Sequence, residues 1–360
     1  MNTFTRRCGG GLRLLAAGLA GVVVIAGVNA GPLTPPVGAV VSTGKTLTDV
    51  EPRVAVNAVN TPGSVAGTLS VFTISAPGSY YLTGNVVGVA GKNGIRIAAA
   101  NVTLDLNGFT VQGVSASLSG IIVDLGLTTG VSIVNGSVTG WGEYGINGQS
   151  VGAGRLCGVV ATFNTLDGMR LSGGTISDCV ARQNTGMGIR GSGSTAISHC
   201  DATSNGSDGI FTGSYCTVTD CLANNNGGIG ISATAGTQIR NCSSGANALD
   251  GILCGVGCTV SGNTCDGNGT GASLNAGIRA TGPDNLIEGN NCTRGDRGIQ
   301  LDGAGCFVTH NVCSGNTINW NVAGGNVCYV INAVLSPAFA GISGGLSPAG
   351  SSDPNVNFSY

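Results

Sequence analysis

A unit of about 21 residues is repeated in tandem along most of the chain. Residues 167–228 contain three consecutive copies, which begin DGMRLSGG, MGIRGSGS and DGIFTGSY. A period of this length, without the 3.6-residue apolar pattern of an amphipathic helix, is typical of a solenoid in which each unit packs on the next. We therefore expect equivalent positions of successive units to lie one above another.

Several columns of equivalent positions follow from this alignment. One apolar column contains Ile176, Ile197, Val218, Ile239, Val260, Ile287 and Val308. Eight residues after it comes an asparagine column, interrupted at Gly295: Asn164, Asn184, Asn205, Asn226, Asn247, Asn268 and Asn316. Asparagines stacked at the strand separation of roughly 4.8 Å can hydrogen-bond amide to amide. We predict a structural asparagine ladder.

A recurring Gly-Ile pair marks a further strand, and about 21 residues suffice for three short strands with their turns. The sequence thus predicts an all-β fold, a single-stranded parallel β-helix of roughly 10–11 coils. The general preference for right-handed crossovers favours the right-handed form.

Over Tyr80–Cys328 these columns resemble the secreted right-handed parallel β-helix repeat proteins of the pectate-lyase-like superfamily. The resemblance implies the fold more than an activity, since this fold carries lyases, hydrolases, epimerases, phage tailspikes and adhesins. The NTD, DD, GHG and RxK motifs of its polygalacturonate hydrolases are absent from the sequence. So are the DH and RxPxxR patterns of pectate lyases and the DPHE motif of alginate epimerases.

The chain divides into four segments. Residues 1–30 have the layout of a signal peptide, which predicts a secreted protein, extracellular or periplasmic, with no membrane span after cleavage. Residues 31–90 are expected to form an N-terminal cap with lead-in strands, and residues 91–328 the β-helix. The Gly/Ser/Pro-rich tail, 329–360, is expected to lie over the last coil, with Phe358 and Tyr360 as anchors.

The fourteen cysteines include thirteen after residue 30. Most fall in buried columns, so we expect them to act as small apolar thiols. Bridges between Cys254 and Cys258 or between Cys242 and Cys265 are the alternative. A net charge of −2 without a basic run gives no reason to expect a nucleic-acid partner.

Two rows of residues are candidates for chemistry. Asp178, His199 and Asp220 fall at one position of three consecutive coils, where two carboxylates would lie near the roughly 6.5–9.5 Å separation of an inverting glycosidase. The alternative is that this position is a left-handed bend, which favours Asp, Asn, Gly and His.

The second row follows the Gly-Ile column. Arg170 and Arg190 should point outward from adjacent coils, and an acid between them would relieve their repulsion. A uronate carboxylate would suit such guanidinium groups. Asp167, Asp208 and Asp250 precede the same column and complete this set of ligand-binding candidates. The alternative is a solvated strand face with weak Asp–Arg pairs.

These features favour a non-catalytic surface or envelope protein that binds a polysaccharide or cell-surface glycan. The alternatives are a polysaccharide lyase or epimerase, which would remove the proton next to a uronate carboxylate, and a glycoside hydrolase with paired aspartates. No cofactor is expected, except that Ca²⁺ would serve a lyase by neutralising the substrate carboxylate. The sequence leaves the oligomeric state open.

Overall fold

A computed structural model describes residues 52–64, 69–124, 126, 129–149, 151–269, 274–332 and 354–360. The described residues form 34 short β-strands, and every strand pairing among them is parallel. The predicted signal peptide, residues 1–30, lies outside them. No helix in these ranges has the length and apolar character needed to cross a membrane.

The strands stack in three sheets, one strand of each sheet per coil. Sheet 1 contains the Gly-Ile column and has twelve strands, which correspond to about 12 turns, slightly more than the 10–11 coils expected. Its members are β2 (Ser70–Ile74), β5 (Asn93–Ile97), β8 (Ile121–Val123), β10 (Ile146–Gly148), the first part of β12 (Met169–Ser177), the first part of β14 (Ile189–Ser198), β16 (Ile210–Thr212), β19 (Ile231–Ala235), β22 (Ile252–Val256), β25 (Ala276–Ala280), β28 (Arg297–Leu301) and β31 (Ile318–Val322).

Sheet 2 contains the apolar column. Its members are β1 (Val54–Ala55), β3 (Gly78–Tyr81), β6 (Val102–Asp105), the first parts of β9 (Thr129–Thr139) and β11 (Ala153–Thr162), the second parts of β12 and β14, β17 (Thr217–Thr219), β20 (Gln238–Arg240), β23 (Thr259–Ser261), β26 (Leu286–Glu288), β29 (Phe307–Thr309) and β32 (Val327–Cys328).

Sheet 3 contains the column of small residues. Its members are β4 (Val86–Val87), β7 (Thr110–Gln112), the second parts of β9 and β11, β13 (Val180–Arg182), β15 (Asp201–Thr203), β18 (Leu222–Asn224), β21 (Ser243–Gly245), β24 (Thr264–Asp266), β27 (Asn291–Thr293), β30 (Val312–Ser314), β33 (Val330–Asn332) and β34 (Asn357–Ser359).

Stacking begins upstream of residue 91. Strand β3 pairs with both β1 and β6, β2 pairs with β5, and β4 pairs with β7, so strands β1 to β4 already belong to the same three sheets. The solenoid therefore includes the described part of the segment that the sequence suggested as a cap.

An asparagine ladder runs from Asn164 to Asn268, whereas Asn316, its last predicted member, bonds to Gly295 and Asn319 instead. Along it, each Nδ2 donates to the Oδ1 of the next asparagine over 2.9–3.1 Å. The ladder also explains the glycine of the Gly-Ile pair, since a Cβ on Gly209 would lie 2.5 Å from Nδ2 of Asn226. The φ of Gly209 is not left-handed, so glycine is required there because a side chain would clash and not because of the backbone conformation.

Left-handed residues form the bend between sheets 2 and 3. Nine equivalent positions have φ between +52° and +66°: Asn135, Gly158, Asp178, His199, Asp220, Asn241, Gly262, Gly289 and His310. Similar columns, which the sequence analysis did not identify, follow sheet 3 and precede sheet 2, for example at Asn225 and Asp284. Three left-handed bends thus turn each regular coil.

The C-terminal strand β34 is inserted between β30 and β33, so it does not lie over the last coil. Its anchors are Val356, Asn357 and Ser359, which are buried. Phe358 and Tyr360 were expected to be the anchors but are 41% and 58% exposed, because they alternate with the inward positions.

Candidate functional site

The outer face of sheet 1 carries a row of charged and aromatic residues. The sequence predicts Arg170 as an outward, solvated residue, and the structure places it on this face but only 9% exposed. Its guanidinium lies over the ring of Tyr144, 4.7 Å from the ring centre, and its Nε is 3.5 Å from Oδ2 of Asp167. This arginine is therefore held by an aromatic ring and a carboxylate.

Arg190 is paired in register with Arg170 on the next coil, as predicted. Its guanidinium lies 5.1 Å from the ring centre of Phe211, one coil further along. The two arginines thus lean on rings on opposite sides of the pair. Nε of Arg190 is buried and has no hydrogen-bond partner among the described residues. The four residues Tyr144, Arg170, Arg190 and Phe211 are called the arginine row below.

The three aspartates before the Gly-Ile column all support the backbone. Oδ1 of Asp167, Asp208 and Asp250 accepts the N–H of the equivalent residue on the next coil, over 2.9, 2.9 and 2.6 Å. Burial raises the pKa of Asp208 and of Asp250 above the usual carboxyl range. These aspartates therefore have a structural role, and two of them are also perturbed acids on the face that carries the arginines.

A second charged cluster lies further along sheet 1. Arg279 donates from Nε to Oδ2 of Asp302 over 2.8 Å, and Nε2 of Gln300 donates to Oδ1 of the same carboxylate over 2.6 Å. Gln300 in turn accepts from Arg297, which is buried. Arg297 and Asp302 were not among the sequence candidates. Arg297 directly precedes Gly298-Ile299, in the column of Asp167 and Asp208, so alignment to that column would have found it.

The structure stacks Asp178, His199 and Asp220 on consecutive coils, but at the bend between sheets 2 and 3, away from the arginine row. Nε2 of His199 is 4.0 Å from Oδ2 of Asp220, and both side chains are largely exposed. Oδ2 of Asp178 contacts the thiol of Cys157 at 3.8 Å. Left-handed φ at all three positions explains their residue types without invoking catalysis. Their role as a catalytic site stays a hypothesis.

A family model described as a right-handed beta helix region matches residues 119–264. The fold is a right-handed parallel β-helix. This confirms the fold predicted from the columns.

Solved structures with this β-helix fold include two from Azotobacter vinelandii. The A-module of mannuronan C-5 epimerase AlgE6 aligns with a TM-score of 0.61 and 18% identity, over 86% of this chain and 88% of that one. The A-module of mannuronan C-5 epimerase AlgE4 aligns with a TM-score of 0.57 and 15% identity, over 82% and 88%. Among curated proteins, no sequence match was found. At these identities the similarity establishes a shared fold and leaves the activity open.

An open depression of about 460 Å³ lies on sheet 3 of the β-helix, on a different face from the arginine row. Asn224, Ser243 and Asp266 are among its lining residues. Arg294 donates from Nε to Oδ1 of Asp266 over 2.7 Å and lowers the pKa of that carboxyl. Because these charges satisfy each other, the depression is a weaker candidate than sheet 1. No group of three or more His, Cys, Asp or Glu suited to a metal occurs in the part of the chain that the structure describes.

All thirteen described cysteines of the β-helix are free thiols, and only Cys157 is not fully buried. Neither of the alternative bridges, Cys254–Cys258 or Cys242–Cys265, is formed. Burial raises the pKa of Cys254, and that of Cys328 to about 12, so these thiols stay protonated. They fill core positions and are poor nucleophiles or metal ligands.

Proposed function

We propose that this chain is an exported, non-catalytic β-helix that binds an acidic glycan along the outer face of sheet 1. The observation that carries the proposal is the pairing of Arg170 and Arg190 on neighbouring coils. Their Cα atoms are in register at the strand separation of roughly 4.8 Å. Because the two guanidinium groups lean to opposite sides of the pair, each would bind its own acidic group of one polymer.

The support around the arginines favours binding over simple solvation. Both guanidiniums are preorganised by aromatic rings, so less side-chain entropy is lost when an anion binds. Each guanidinium covers one face of its ring, which leaves Tyr144 and Phe211 less open to stacking on a sugar. Recognition would therefore rest mainly on charge-assisted hydrogen bonds to an acidic sugar.

The two aligned structures from Azotobacter vinelandii are named as mannuronan C-5 epimerases, which supports a glycan as the partner. The missing family motifs and the absence of histidine from the arginine row support a binding role over catalysis. No nucleic-acid partner is proposed, given the low net charge of −2.

Affinity electrophoresis with matched acidic and neutral polysaccharides tests this proposal. Arg190→Ala should weaken retention by an acidic polymer about 10- to 100-fold, the effect of losing charge-assisted hydrogen bonds. Arg240→Ala is the matched control, because it removes the same charge from an exposed position on sheet 2. Equal losses for both variants, or equal retention by neutral polymers, would contradict a specific site.

An enzymatic alternative is favoured by one observation, the raised pKa of Asp208 on the coil after Arg190. An acid of this kind can exchange a proton with the carbon next to a uronate carboxylate, whose charge the arginines would stabilise. Incubation with uronic-acid polymers in D₂O, with Ca²⁺ and with chelator, separates the possibilities. Deuterium at that carbon indicates an epimerase, unsaturated ends a lyase, and reducing ends alone a hydrolase. Loss of product in Asp208→Asn would support the enzymatic alternative.

A further inference from the structure

The last two coils are separated on sheet 3 but not on sheet 2. On sheet 2, β29 pairs directly with β32, through Phe307 and Val327. On sheet 3, β34 lies between β30 and β33, with Phe358 paired to Val312 on one side and to Ile331 on the other. The fold therefore contains a slot one strand wide, which residues 357–359 fill.

The slot recognises its strand mainly through Asn357. Its Oδ1 accepts the N–H and the Nδ2–H of Asn311 over 3.0 and 2.9 Å. Its Nδ2 donates to the carbonyl oxygens of Val308 and Tyr329 over 2.9 Å each. Asn357 thus extends a second asparagine ladder, formed by Asn263, Asn290 and Asn311, by one more member.

The remaining contacts are also local to the strand. The N–H of Phe358 donates to Asn311 O and that of Asn357 to Tyr329 O, over 2.8 Å each. Oγ of Ser359 accepts from Nδ2 of Asn319 over 2.8 Å. Hydrogen bonds of this kind depend only on the presence of a parallel strand with Asn and Ser at two inward positions. They do not depend on which chain supplies it.

The segment between β33 and β34 is long enough to reach the slot of its own chain or that of a second copy. Residues 333–353 separate them, and 21 residues can span up to about 70 Å. A parallel strand pair needs a crossover of about a dozen residues or more, so the same chain can supply the strand only while this connection is kept.

We propose that the slot between β30 and β33 is a strand-acceptor site through which two copies of this chain are joined by exchange of residues 354–360. Each copy gives its strand to the slot of the other, which closes a symmetric dimer and preserves every hydrogen bond of the monomer. At micromolar concentration the tethered strand has the advantage, because its effective concentration is in the millimolar range. Exchange becomes dominant when the chain concentration is high or the tether is too short.

Shortening the tether tests the proposal. Deletion of residues 336–353 leaves three connecting residues, which cannot make the crossover. Light scattering should show that this variant has twice the mass of the parent chain at the same micromolar concentration. Adding Asn357→Ala should return it to a monomer, because the exchanged strand loses its side-chain hydrogen bonds. A deletion variant that is monomeric both with and without Asn357→Ala would overturn the proposal.

A second experiment does not need the deletion variant to assemble. The chain lacking residues 354–360 is titrated with a fluorescent peptide of that sequence, PNVNFSY, and anisotropy is measured. Saturable binding that weakens about tenfold or more for the peptide with Asn357→Ala supports an open slot. No binding by a variant with the parent β-sheet circular dichroism would mean that β33 closes onto β30, which excludes strand exchange.

Discussion

Replacing the buried Asn226 by alanine should lower the free energy of unfolding far more than the same replacement of the half-buried Asn224 on the same coil. The Asn226 side chain makes four hydrogen bonds. Its Oδ1 accepts from N and Nδ2 of Asn205 over 3.0 and 3.1 Å, and its Nδ2 donates to Ala202 O and to Oδ1 of Asn247 over 3.0 Å each. Asn226 is 2% exposed, so water cannot replace these partners.

The magnitude follows from the number of bonds. At about 1 kcal/mol per hydrogen bond, Asn226→Ala should lower the free energy of unfolding by about 4 kcal/mol. Asn224→Ala is the matched control, since this half-buried side chain accepts one bond, from Gly245 N over 2.7 Å. Its expected cost is about 1 kcal/mol. Both changes delete the same atoms from one coil.

Urea unfolding followed by circular dichroism measures both variants against the parent chain. Solenoids unfold with limited cooperativity, so amide hydrogen exchange at the neighbouring coils should accompany it. Protection should fall at Asn184 and Asn205, whose N–H groups belong to the same ladder. If Asn226→Ala costs no more stability than Asn224→Ala, the hydrogen bonds of the ladder do not stabilise the fold.

Two further predictions concern the same coils. Gly209→Ala should destabilise the fold by about 1–3 kcal/mol, because the added Cβ would lie 2.5 Å from Nδ2 of Asn226. Gly84→Ala is the control in thermal unfolding and should be close to neutral, because no atom lies within 4 Å of its Cβ position. Asp250→Asn should flatten the pH dependence of urea unfolding above the ordinary carboxyl pKa of 3.8. Burial raises the native pKa of Asp250, so the native state binds more protons and the parent loses stability as pH rises through that window. If the stability of the parent and of the variant depends on pH in the same way in this window, the raised pKa of Asp250 does not contribute to stability.

The columns of the sequence were sufficient to predict the sheets, because stacking in register makes equivalent positions share one environment. Inward Ile176 and Ile197 pair as expected, and the asparagine ladder follows its column up to Asn268. The bend residues also followed from chemistry, since Asp and His at a repeated position indicate left-handed backbone.

Side-chain direction and the end of the chain could not be derived in the same way. The column placed Arg170 and Arg190 side by side but could not show that they lean on Tyr144 and Phe211, which lie on the coils to either side. The strand at 357–359 has no repeat unit around it, so its position between β30 and β33 depends on tertiary contacts alone. The sequence instead suggested Phe358 and Tyr360 as anchors, and both are exposed.

The contrast between the outer faces of the sheets favours sheet 1 as the binding surface. Many outward positions of sheet 2 are Ser or Thr, as at Ser198 and Thr219, which water solvates at little cost. Sheet 1 instead carries Arg170, nine-tenths buried, and Arg190 with a buried, unpartnered Nε. Burying such groups costs free energy unless a partner satisfies them. Because Ser and Thr also occupy outward strand positions in the same solenoid, strand packing alone does not account for two adjacent arginines, whereas the proposed binding of an anionic ligand would.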